Sequence, residues 1–247
     1  MFSDSILKDF PKKRTELPKE YRDIYEKNYE ENRKGETKMT FLSQKMENWL
    51  HKEVAKSSES NKKTLELGAG TLNQLVYEKA EIYDIVEPFK LLYEGSSELI
   101  RIRNIYDDIS DISLNEKYDR IISCATFEHI LNLPEVIAKC CLLLNDKGGL
   151  YASIPNEGRF LWKLGYKLTT GLEYKRRYNL DYDVLMKHEH VNDADEIESL
   201  LKYFFEKVSV KLFGINKTFS FYRFLECKNP RIDKAEEYLE RCKHLDI

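Results

Sequence analysis

The chain has 247 residues, which allows one large domain with a sizeable core and leaves little for a second domain. Charged residues make up 34% of it and the net charge is -3, so no excess of positive charge indicates binding to nucleic acid or to an anionic membrane. The five cysteines include no C-x-x-C pair, which disfavours a structural zinc site and a disulfide framework. No apolar run approaches the roughly 20 residues that span a bilayer, and no basic segment precedes an apolar one at the N-terminus. We therefore expect a cytoplasmic protein with a small-molecule substrate.

Residues 1–60 are predicted to form a helical extension ahead of the main domain. Tyr21, Tyr25 and Tyr29 recur at a spacing of four residues, which places their side chains on one face of a helix. A second helix is predicted from about residue 38 to residue 56. We interpret the aromatic residues of this extension as a packing stripe rather than a binding platform.

The main domain is predicted to occupy residues 61–228, where strand and helix patterns alternate. This alternation indicates βαβ units, a parallel sheet and right-handed crossovers. A helix beginning near Asn192 is followed by a terminal antiparallel pair of strands, and a helical tail is predicted over 229–247. The predicted strands are 63–67, 82–86, 100–105, 118–123, 149–154, 207–213 and 218–226, and the predicted helices between the earlier strands are 73–80, 89–99 and 134–145.

Residues 155–191 interrupt the alternation directly after the fifth strand. In open α/β sheets, ligands bind beyond the carboxyl ends of the strands. We therefore predict that this insert is a mobile lid over the ligand. It is rich in aromatic and basic side chains, namely Phe160, Trp162, Tyr166, Tyr174, Arg176, Arg177 and Tyr178.

The most informative segment is 64–73, in which an apolar strand ends in an acid and two closely spaced glycines before a helix pattern begins. Gly68 and Gly70 permit a tight turn and close approach of a ligand to the backbone. Asn73 departs from the G-x-G-x-x-G fingerprint of dinucleotide sites, and Glu66 suits an ammonium group better than a pyrophosphate. Glu87 follows the second strand, where an acid reaches ribose hydroxyls. The pattern predicts a ligand made of adenosine linked to an amino acid.

The segments Glu66-Leu67-Gly68-Ala69-Gly70, Glu87 and Tyr118-Asp119-Arg120-Ile121-Ile122-Ser123 resemble successive motifs of the class I S-adenosylmethionine-dependent methyltransferases. The resemblance covers roughly residues 62–227. It implies a Rossmann-like, seven-stranded, mostly parallel sheet with an antiparallel last strand and helices on both faces. Leu72 departs from the family pattern, since a third glycine is common at that position, and predicts a narrower loop. The cofactor implied is S-adenosyl-L-methionine, held by Glu66, Gly68, Gly70, Glu87, Asp108, Ile109 and Ser123.

His129 lies after the fourth strand and is the predicted catalytic base, because an imidazole titrates near neutral pH and can accept a proton from a hydroxyl or amine. A purely structural role for this histidine is the alternative. Glu189 and His190 are predicted to face the acceptor at the inner edge of the insert, while Asn192 caps the next helix. His188, Glu189 and His190 lack the spacing of a metal site, since alternate residues of an extended segment point to opposite faces. No metal is expected.

We therefore expect methyl transfer to a hydroxyl or amine of a small acceptor. The segments Ile154-Pro155-Asn156-Glu157-Gly158-Arg159 and Glu189-His190-Val191-Asn192 also resemble, more loosely, methyltransferases found with bacterial surface-polysaccharide biosynthesis. That resemblance implies a sugar or nucleotide-linked sugar, with Arg176 or Arg177 near any phosphate. The alternatives are an aromatic or quinone-like acceptor and a catalytically silent cofactor-binding regulator. Nucleic acid is disfavoured because no Asn-Pro-Pro-Tyr type of base-flipping motif follows the fourth strand, and a homodimer is left open.

Overall fold

The centre of the fold is a seven-stranded sheet with the strand order β3-β2-β1-β4-β5-β7-β6. The computed structural model describes residues 4–25 and 41–244. Strands β1 to β5 run parallel, and β7 is antiparallel to both β5 and β6. This confirms the predicted Rossmann-like sheet with its antiparallel last strand. The strands are β1 Thr64–Leu67, β2 Tyr83–Val86, β3 Asn104–Tyr106, β4 Tyr118–Cys124, β5 Leu144–Pro155, β6 Phe205–Gly214 and β7 Ser220–Pro230.

The register of the three central strands brings their carboxyl ends to one edge of the sheet. Leu67, the last residue of β1, pairs with Val86 on β2 and with Ser123 on β4. The loops that follow β1, β2 and β4 therefore emerge side by side. This is the edge at which parallel α/β sheets bind their ligands.

Helices cover both faces of this sheet, as predicted. Because successive strand residues point to opposite faces, Ile121 and Leu150 pack with buried residues of α2, α6 and α7 on one face. On the other face, Ile122 and Tyr151 pack with Val54 near the end of α1. The helices are α1 Phe41–Ala55, α2 Leu133–Leu143, α3 Phe160–Tyr166, α4 Leu172–Tyr178, α5 Tyr182–Glu189, α6 Ala194–Phe204 and α7 Ile232–His244.

The predicted helices at 73–80 and 89–99 are wrong, because short 3₁₀ turns make these crossovers. Leu72 adopts a left-handed backbone conformation with φ of 65°, and only a five-residue turn follows it. Ser96 accepts a hydrogen bond from the Glu98 N–H and starts a further turn. That turn occupies the first part of the predicted strand 100–105, so β3 begins later and is short. The turns are Asn73–Tyr77, Lys90–Leu92 and Ser97–Arg101.

The insert at 155–191 folds as helices α3, α4 and α5, with a π-helical stretch, Lys167–Gly171, between the first two. Residues 19–25 are helical and pack against it. Tyr21 is buried with Tyr174, and its hydroxyl accepts a hydrogen bond of 3.0 Å from the Asp181 N–H. The predicted packing role is thereby confirmed for Tyr21, whereas Tyr29 and the start of the predicted helix 38–56 lie outside the described residues.

The residue that caps the start of α6 differs from the predicted one. The N-cap of α6 is Asp193, whose side chain accepts hydrogen bonds from two N–H groups of the first turn. The prediction that Asn192 caps this helix is therefore wrong.

All five cysteines are free. Within the residues that the structure describes, no helix has the length and apolar character needed to cross a membrane.

A buried ion pair stabilises the sheet behind the loop that follows β1. The guanidinium of Arg120 is fully buried and forms hydrogen bonds of 2.5 and 2.8 Å to the buried carboxylate of Glu78. It also donates to the hydroxyl of Ser57 and to the carbonyl of Val54, at 2.6 and 2.9 Å. One side chain of β4 therefore joins the end of α1 to the first crossover.

We expect Arg120→Met to lower the free energy of unfolding by about 3–5 kcal/mol, because the substitution leaves the Glu78 carboxylate buried without its partner. Chemical denaturation followed by circular dichroism measures this loss. Lys62→Met is the matched control, since its pair with Glu59 is solvent-exposed and is worth at most about 1 kcal/mol. An equal loss of unfolding free energy in the two variants would show that the buried ion pair stabilises the fold no more than the exposed pair does.

Candidate functional site

The loop after β1 has the backbone of a ligand cradle. Gly68 and Gly70 have φ of 67° and 51°, a region that L side chains rarely adopt. A Cβ at Gly68 would lie 2.3 Å from the Thr126 side chain, whereas a Cβ at Gly70 would meet no atom within 4 Å. Gly68 is thus required for packing against the segment after β4, and Gly70 borders open space. Leu72 adopts the left-handed conformation that a third glycine would favour and is buried.

Glu87 braces this loop from the end of β2. Its Oε2 accepts a hydrogen bond of 2.8 Å from the Gly70 N–H, and its Oε1 accepts one of 3.0 Å from the Phe89 N–H. The side chain is 5% exposed. A carboxylate offers about four lone-pair positions, so Glu87 can also accept hydrogen bonds from ribose hydroxyls.

Glu66 lies on β1 directly before the loop and is 2% exposed. Its Oε2 accepts a hydrogen bond of 2.8 Å from the Tyr83 hydroxyl. Burial raises the pKa of Glu66 to about 8, and the charge of nearby Glu78 contributes in the same direction. A buried carboxyl of this kind is compensated by a cationic group. Its position fits the ammonium of the predicted ligand.

The other predicted cofactor residues, Asp108, Ile109 and Ser123, differ in exposure and in hydrogen bonding. The carboxylate of Asp108 is exposed and accepts a hydrogen bond from the Ser110 N–H, which is a local capping role. The neighbouring carboxylates of Asp107 and Glu87 both raise the pKa of Tyr93 beyond the effect of its burial. Ile109 is buried in the core, and the Ser123 hydroxyl is buried without a partner among the described residues.

A second group of side chains lies at the same edge, after β4. The 3₁₀ turn Phe127–His129 follows this strand, and the Thr126 hydroxyl approaches the Gly68 carbonyl at 3.4 Å. Glu128 in this turn is 2% exposed, and its Oε1 lies 3.8 Å from His129 Nε2. The rings of His129 and His190 meet edge to face with centroids 4.9 Å apart. The Glu189 carboxylate lies 3.5 Å from His129 Nδ1, so the structure brings together all three predicted catalytic residues.

Asn192 holds these two segments together. Its side-chain amide donates hydrogen bonds of 2.8 Å to the Phe127 carbonyl and 2.7 Å to the Ile130 carbonyl. The Val191 N–H donates to the Glu128 carbonyl at 2.8 Å. Asn192 is fully buried, so its function is to fix the end of the insert against the turn after β4.

The hydrogen bonds of both rings involve Nδ1. His129 Nδ1 lies 3.0 Å from the Glu189 carbonyl oxygen, and a carbonyl can only accept, so this nitrogen is assigned the proton. His190 Nδ1 lies 3.0 Å from Glu157 Oε2. Burial lowers the pKa of His190, but the hydrogen bond to Glu157 and the charges of three carboxylates outweigh it, so the net pKa is raised. The Nε2 of each ring is left to interact with a ligand.

The sequence contains no signal for Arg14, which the fold brings to this site from the N-terminal extension. Its guanidinium donates to the carbonyls of His129 and His188 at 3.1 and 3.0 Å and lies 3.6 Å from the Glu189 carboxylate. Lys12 donates to the Val191 carbonyl at 2.8 Å. The extension thus clamps the insert onto the turn after β4.

Aromatic side chains border the cluster on the side of the insert and β7. The rings of Trp162 and Tyr222 lie 5.2 Å apart in an edge arrangement, and the Trp162 indole donates to Glu157. Burial and the neighbouring Glu128 raise the pKa of Tyr222. A cavity of about 720 Å³ near Asp119 and Asn145 lies instead at the amino ends of β4 and β5. Because ligands of such sheets bind at the carboxyl edge, that cavity is not the acceptor site.

A match to a family model shows which family the chain belongs to. The model described as a methyltransferase domain matches residues 39–204. The chain belongs to this family. A search of curated proteins finds no match for the methyltransferase.

Solved structures share its fold. The plantazolicin methyltransferase BpumL, in complex with a monoazolic desmethylPZN analog and SAH, has a TM-score of 0.57 and 14% identity, covering 85% of this chain and 92% of that chain. A possible histamine N-methyltransferase from Thermotoga maritima has a TM-score of 0.54 and 15% identity, covering 76% and 91%. The magnesium protoporphyrin IX methyltransferase ChlM from Synechocystis PCC 6803, with bound SAH, has a TM-score of 0.53 and 13% identity, covering 85% and 93%.

The predictions of enzyme class and cofactor are confirmed: the protein is an S-adenosylmethionine-dependent methyltransferase. The loop geometry fits this cofactor, because open space borders Gly70 and a buried carboxyl of raised pKa precedes the loop. We still expect Gly68 and Gly70 to cradle the methionine part, Glu87 to bind the ribose and Glu66 to face the amino group.

We expect binding of S-adenosylhomocysteine at pH 7 to release up to about one proton per protein. Glu66 is largely protonated below its raised pKa of about 8, and the ammonium of the ligand favours its charged form. The release should decline above pH 8, where Glu66 is already ionised. Calorimetry in buffers of different ionisation enthalpy measures the number of protons.

Two variants separate the roles of the acids. Glu66→Gln should abolish the proton release, whereas Glu87→Gln should retain it while weakening binding by roughly 10-fold or more, as for hydrogen bonds to a charged group. Proton release that persists in Glu66→Gln would assign the titrating group to another residue.

Proposed function

We propose that this methyltransferase transfers a methyl group to a hydroxyl or amine of a small acceptor, namely a sugar or nucleotide-linked sugar in polysaccharide biosynthesis. The observation that carries the proposal is the polar cluster of His129, His190 and Glu189 beside the cofactor loop. The cluster follows β4, and Thr126 connects the start of its turn to Gly68 at 3.4 Å. An acceptor bound there lies next to the methyl donor.

S-adenosylmethionine supplies an activated methyl group on its sulfonium. The task of the protein is to align the acceptor atom with that group, to exclude water and to remove a proton. His129 Nε2 is the proton acceptor, since Nδ1 is held by the Glu189 carbonyl. The Glu189 carboxylate lies 3.5 Å from the same ring and stabilises the imidazolium that forms.

A sugar fits the mixed character of the acceptor side. Hydroxyl groups would contact the carboxylates and imidazoles, and the apolar C–H face of a pyranose would pack on Trp162 or Tyr222. Exposed basic residues of the insert, Lys163 and Arg176 among them, supply charge for a phosphate-linked acceptor. The loose resemblance of 154–159 and 189–192 to polysaccharide methyltransferases supports the same substrate class.

An aromatic or quinone-like acceptor is the second candidate, and the Trp162–Tyr222 arrangement favours it, because two edge-packed rings offer a stacking surface. The alternative of a catalytically silent cofactor-binding regulator is not retained, because the chain belongs to the methyltransferase family.

The acceptor class is tested by measuring S-adenosylhomocysteine formation with a panel of UDP- and dTDP-hexoses, free hexoses, catechols and quinols. We expect turnover with the sugars. With the best acceptor, His129→Ala should lower kcat by roughly 100-fold or more and leave cofactor affinity nearly intact, as for loss of a general base.

His188→Ala is the matched control for that variant. His188 lies two residues from His190, its Nδ1 lies 2.7 Å from the Thr15 carbonyl oxygen and it is not a member of the cluster, so the kcat of this variant should be nearly unchanged. Turnover confined to catechols or quinols would replace the sugar proposal with the second candidate. Retention of most activity in His129→Ala would reduce that residue to a structural role.

We further propose that the insert at 155–191 is a lid that sets acceptor specificity. Trp162→Ala should raise the KM of the acceptor by roughly 10-fold and leave the cofactor Kd within a few-fold, because the loss removes one face of the acceptor site only. Phe160→Ala is the control on the same helix, since its ring is 60% exposed. A loss of cofactor affinity with unchanged acceptor KM would place Trp162 in the cofactor site.

A further inference from the structure

Glu128, His129 and His190 form a set of potential metal ligands that sequence spacing does not reveal. One ligand atom from each side chain can be chosen so that all three lie within 4.8 Å of one another. An ion with tetrahedral bonds of about 2.0–2.2 Å holds its ligand atoms roughly 3.3–3.6 Å apart. The separation of 3.8 Å between Glu128 Oε1 and His129 Nε2 is already close to this value.

The carboxylate of Glu128 supplies an independent indication of a ligand. The side chain is 2% exposed, and its Oε2 is buried without a hydrogen-bond partner among the described residues. An unpaired buried carboxylate oxygen is costly, because no protein group replaces the lost hydration. The same carboxylate faces an imidazole, since its Oε1 lies 3.8 Å from His129 Nε2. A divalent cation between these groups would satisfy the free oxygen.

The outer contacts of both rings match those of metal-bound histidines. Such histidines donate their second N–H to a carbonyl or carboxylate, which fixes the ring and leaves the other nitrogen for the ion. His129 has this arrangement with the Glu189 carbonyl, and His190 has it with the Glu157 carboxylate. The Glu157 carboxylate is in turn held by the Trp162 indole.

We propose that Glu128, His129 and His190 bind a divalent transition-metal ion through the glutamate and the two Nε2 atoms. Two imidazoles and one carboxylate suit Zn²⁺ or Fe²⁺ and leave coordination positions open, whereas Mg²⁺ and Ca²⁺ prefer oxygen ligands. The spacing of His188, Glu189 and His190 along the chain is unsuitable for a metal site. The fold instead supplies Glu128 and His129 from the turn after β4.

Binding of the ion does not depend on the proposed function. The catalytic role of the ion does rest on the proposed function. An ion at this position would coordinate the acceptor hydroxyl and lower the pKa of that hydroxyl. The ion would then replace a general base in ionising the acceptor. The hydroxyl proton would leave to solvent, the oxygen would bond to the methyl carbon, and the sulfur would retain the electrons of the broken bond. With the ion bound, His129 Nε2 is a ligand, so the proton-accepting role proposed above applies to the metal-free enzyme.

Metal binding is tested on the full chain after treatment with a chelator and dialysis. Calorimetry with Zn²⁺ and visible absorption with Co²⁺ should show about one tight site with nitrogen and oxygen ligands and no thiolate charge-transfer band. Glu128→Gln and His190→Ala should each weaken binding by more than roughly 100-fold. Glu157→Gln should weaken it by roughly 10- to 100-fold, as expected for an outer contact.

His188→Ala is the control and should bind the ion like the unmodified chain, because His188 lies outside the cluster. Thermal unfolding of each variant without metal establishes that it is folded, and His190→Ala stands in for Glu128→Gln if the latter is not. Absence of Zn²⁺ binding at micromolar concentration, or unchanged binding in Glu128→Gln and His190→Ala, would overturn the site. If the ion binds but the chelated enzyme keeps full activity, the catalytic role is overturned and His129 remains the base.

Discussion

The acceptor half of this methyltransferase depends on one set of hydrogen bonds between segments about sixty residues apart in the sequence. The buried amide of Asn192 and the N–H of Val191 bond to three carbonyls of the turn that follows β4. These bonds fix the segment that carries Glu189 and His190 against the turn that carries Glu128 and His129. Because buried amides that lose their partners cost about 1–3 kcal/mol each, the arrangement of the two segments is strongly specified.

The N-terminal extension stabilises this arrangement from outside. Arg14 and Lys12 donate to carbonyls on both sides of the junction between the insert and the turn after β4, and Tyr21 packs against the insert. The extension thus contacts both segments that carry the proposed acceptor residues. A guanidinium suits this position, since its five donors form a fixed fork that can reach several carbonyl oxygens at once.

The cofactor half is organised by buried charge. Glu66 precedes the loop, and the pair of Arg120 and Glu78 lies behind it. Burial is the main cause of the raised pKa of Glu66, the charge of Glu78 adds to it and that of Arg120 opposes it, so the structural ion pair contributes to the electrostatics of a residue predicted to face the cofactor. Stability and ligand binding therefore share one set of electrostatic interactions in this region.

The cofactor half could be predicted from the sequence because its residues are local. Gly68, Gly70 and Glu87 lie at fixed offsets from the ends of two short apolar strands, and the parallel register of β1, β2 and β4 then brings those ends together. Backbone sterics and strand alternation are properties of short segments, so they are visible in the sequence. The 3₁₀ turns in place of the predicted helices were not, since apolar spacing does not distinguish a five-residue turn from a short helix.

Only the tertiary structure decided the acceptor half. Sequence patterns selected His129, Glu189 and His190 separately, but the pairing of His129 with His190, the buried position of Glu128 and the contacts of Arg14 arise from packing between distant segments. Asn192 resembled a helix cap in the sequence, and burial turned its amide toward the carbonyls of another loop. A polar side chain bonds to whichever partner the fold leaves unsatisfied near it, and that partner is set by three-dimensional proximity rather than by spacing along the chain.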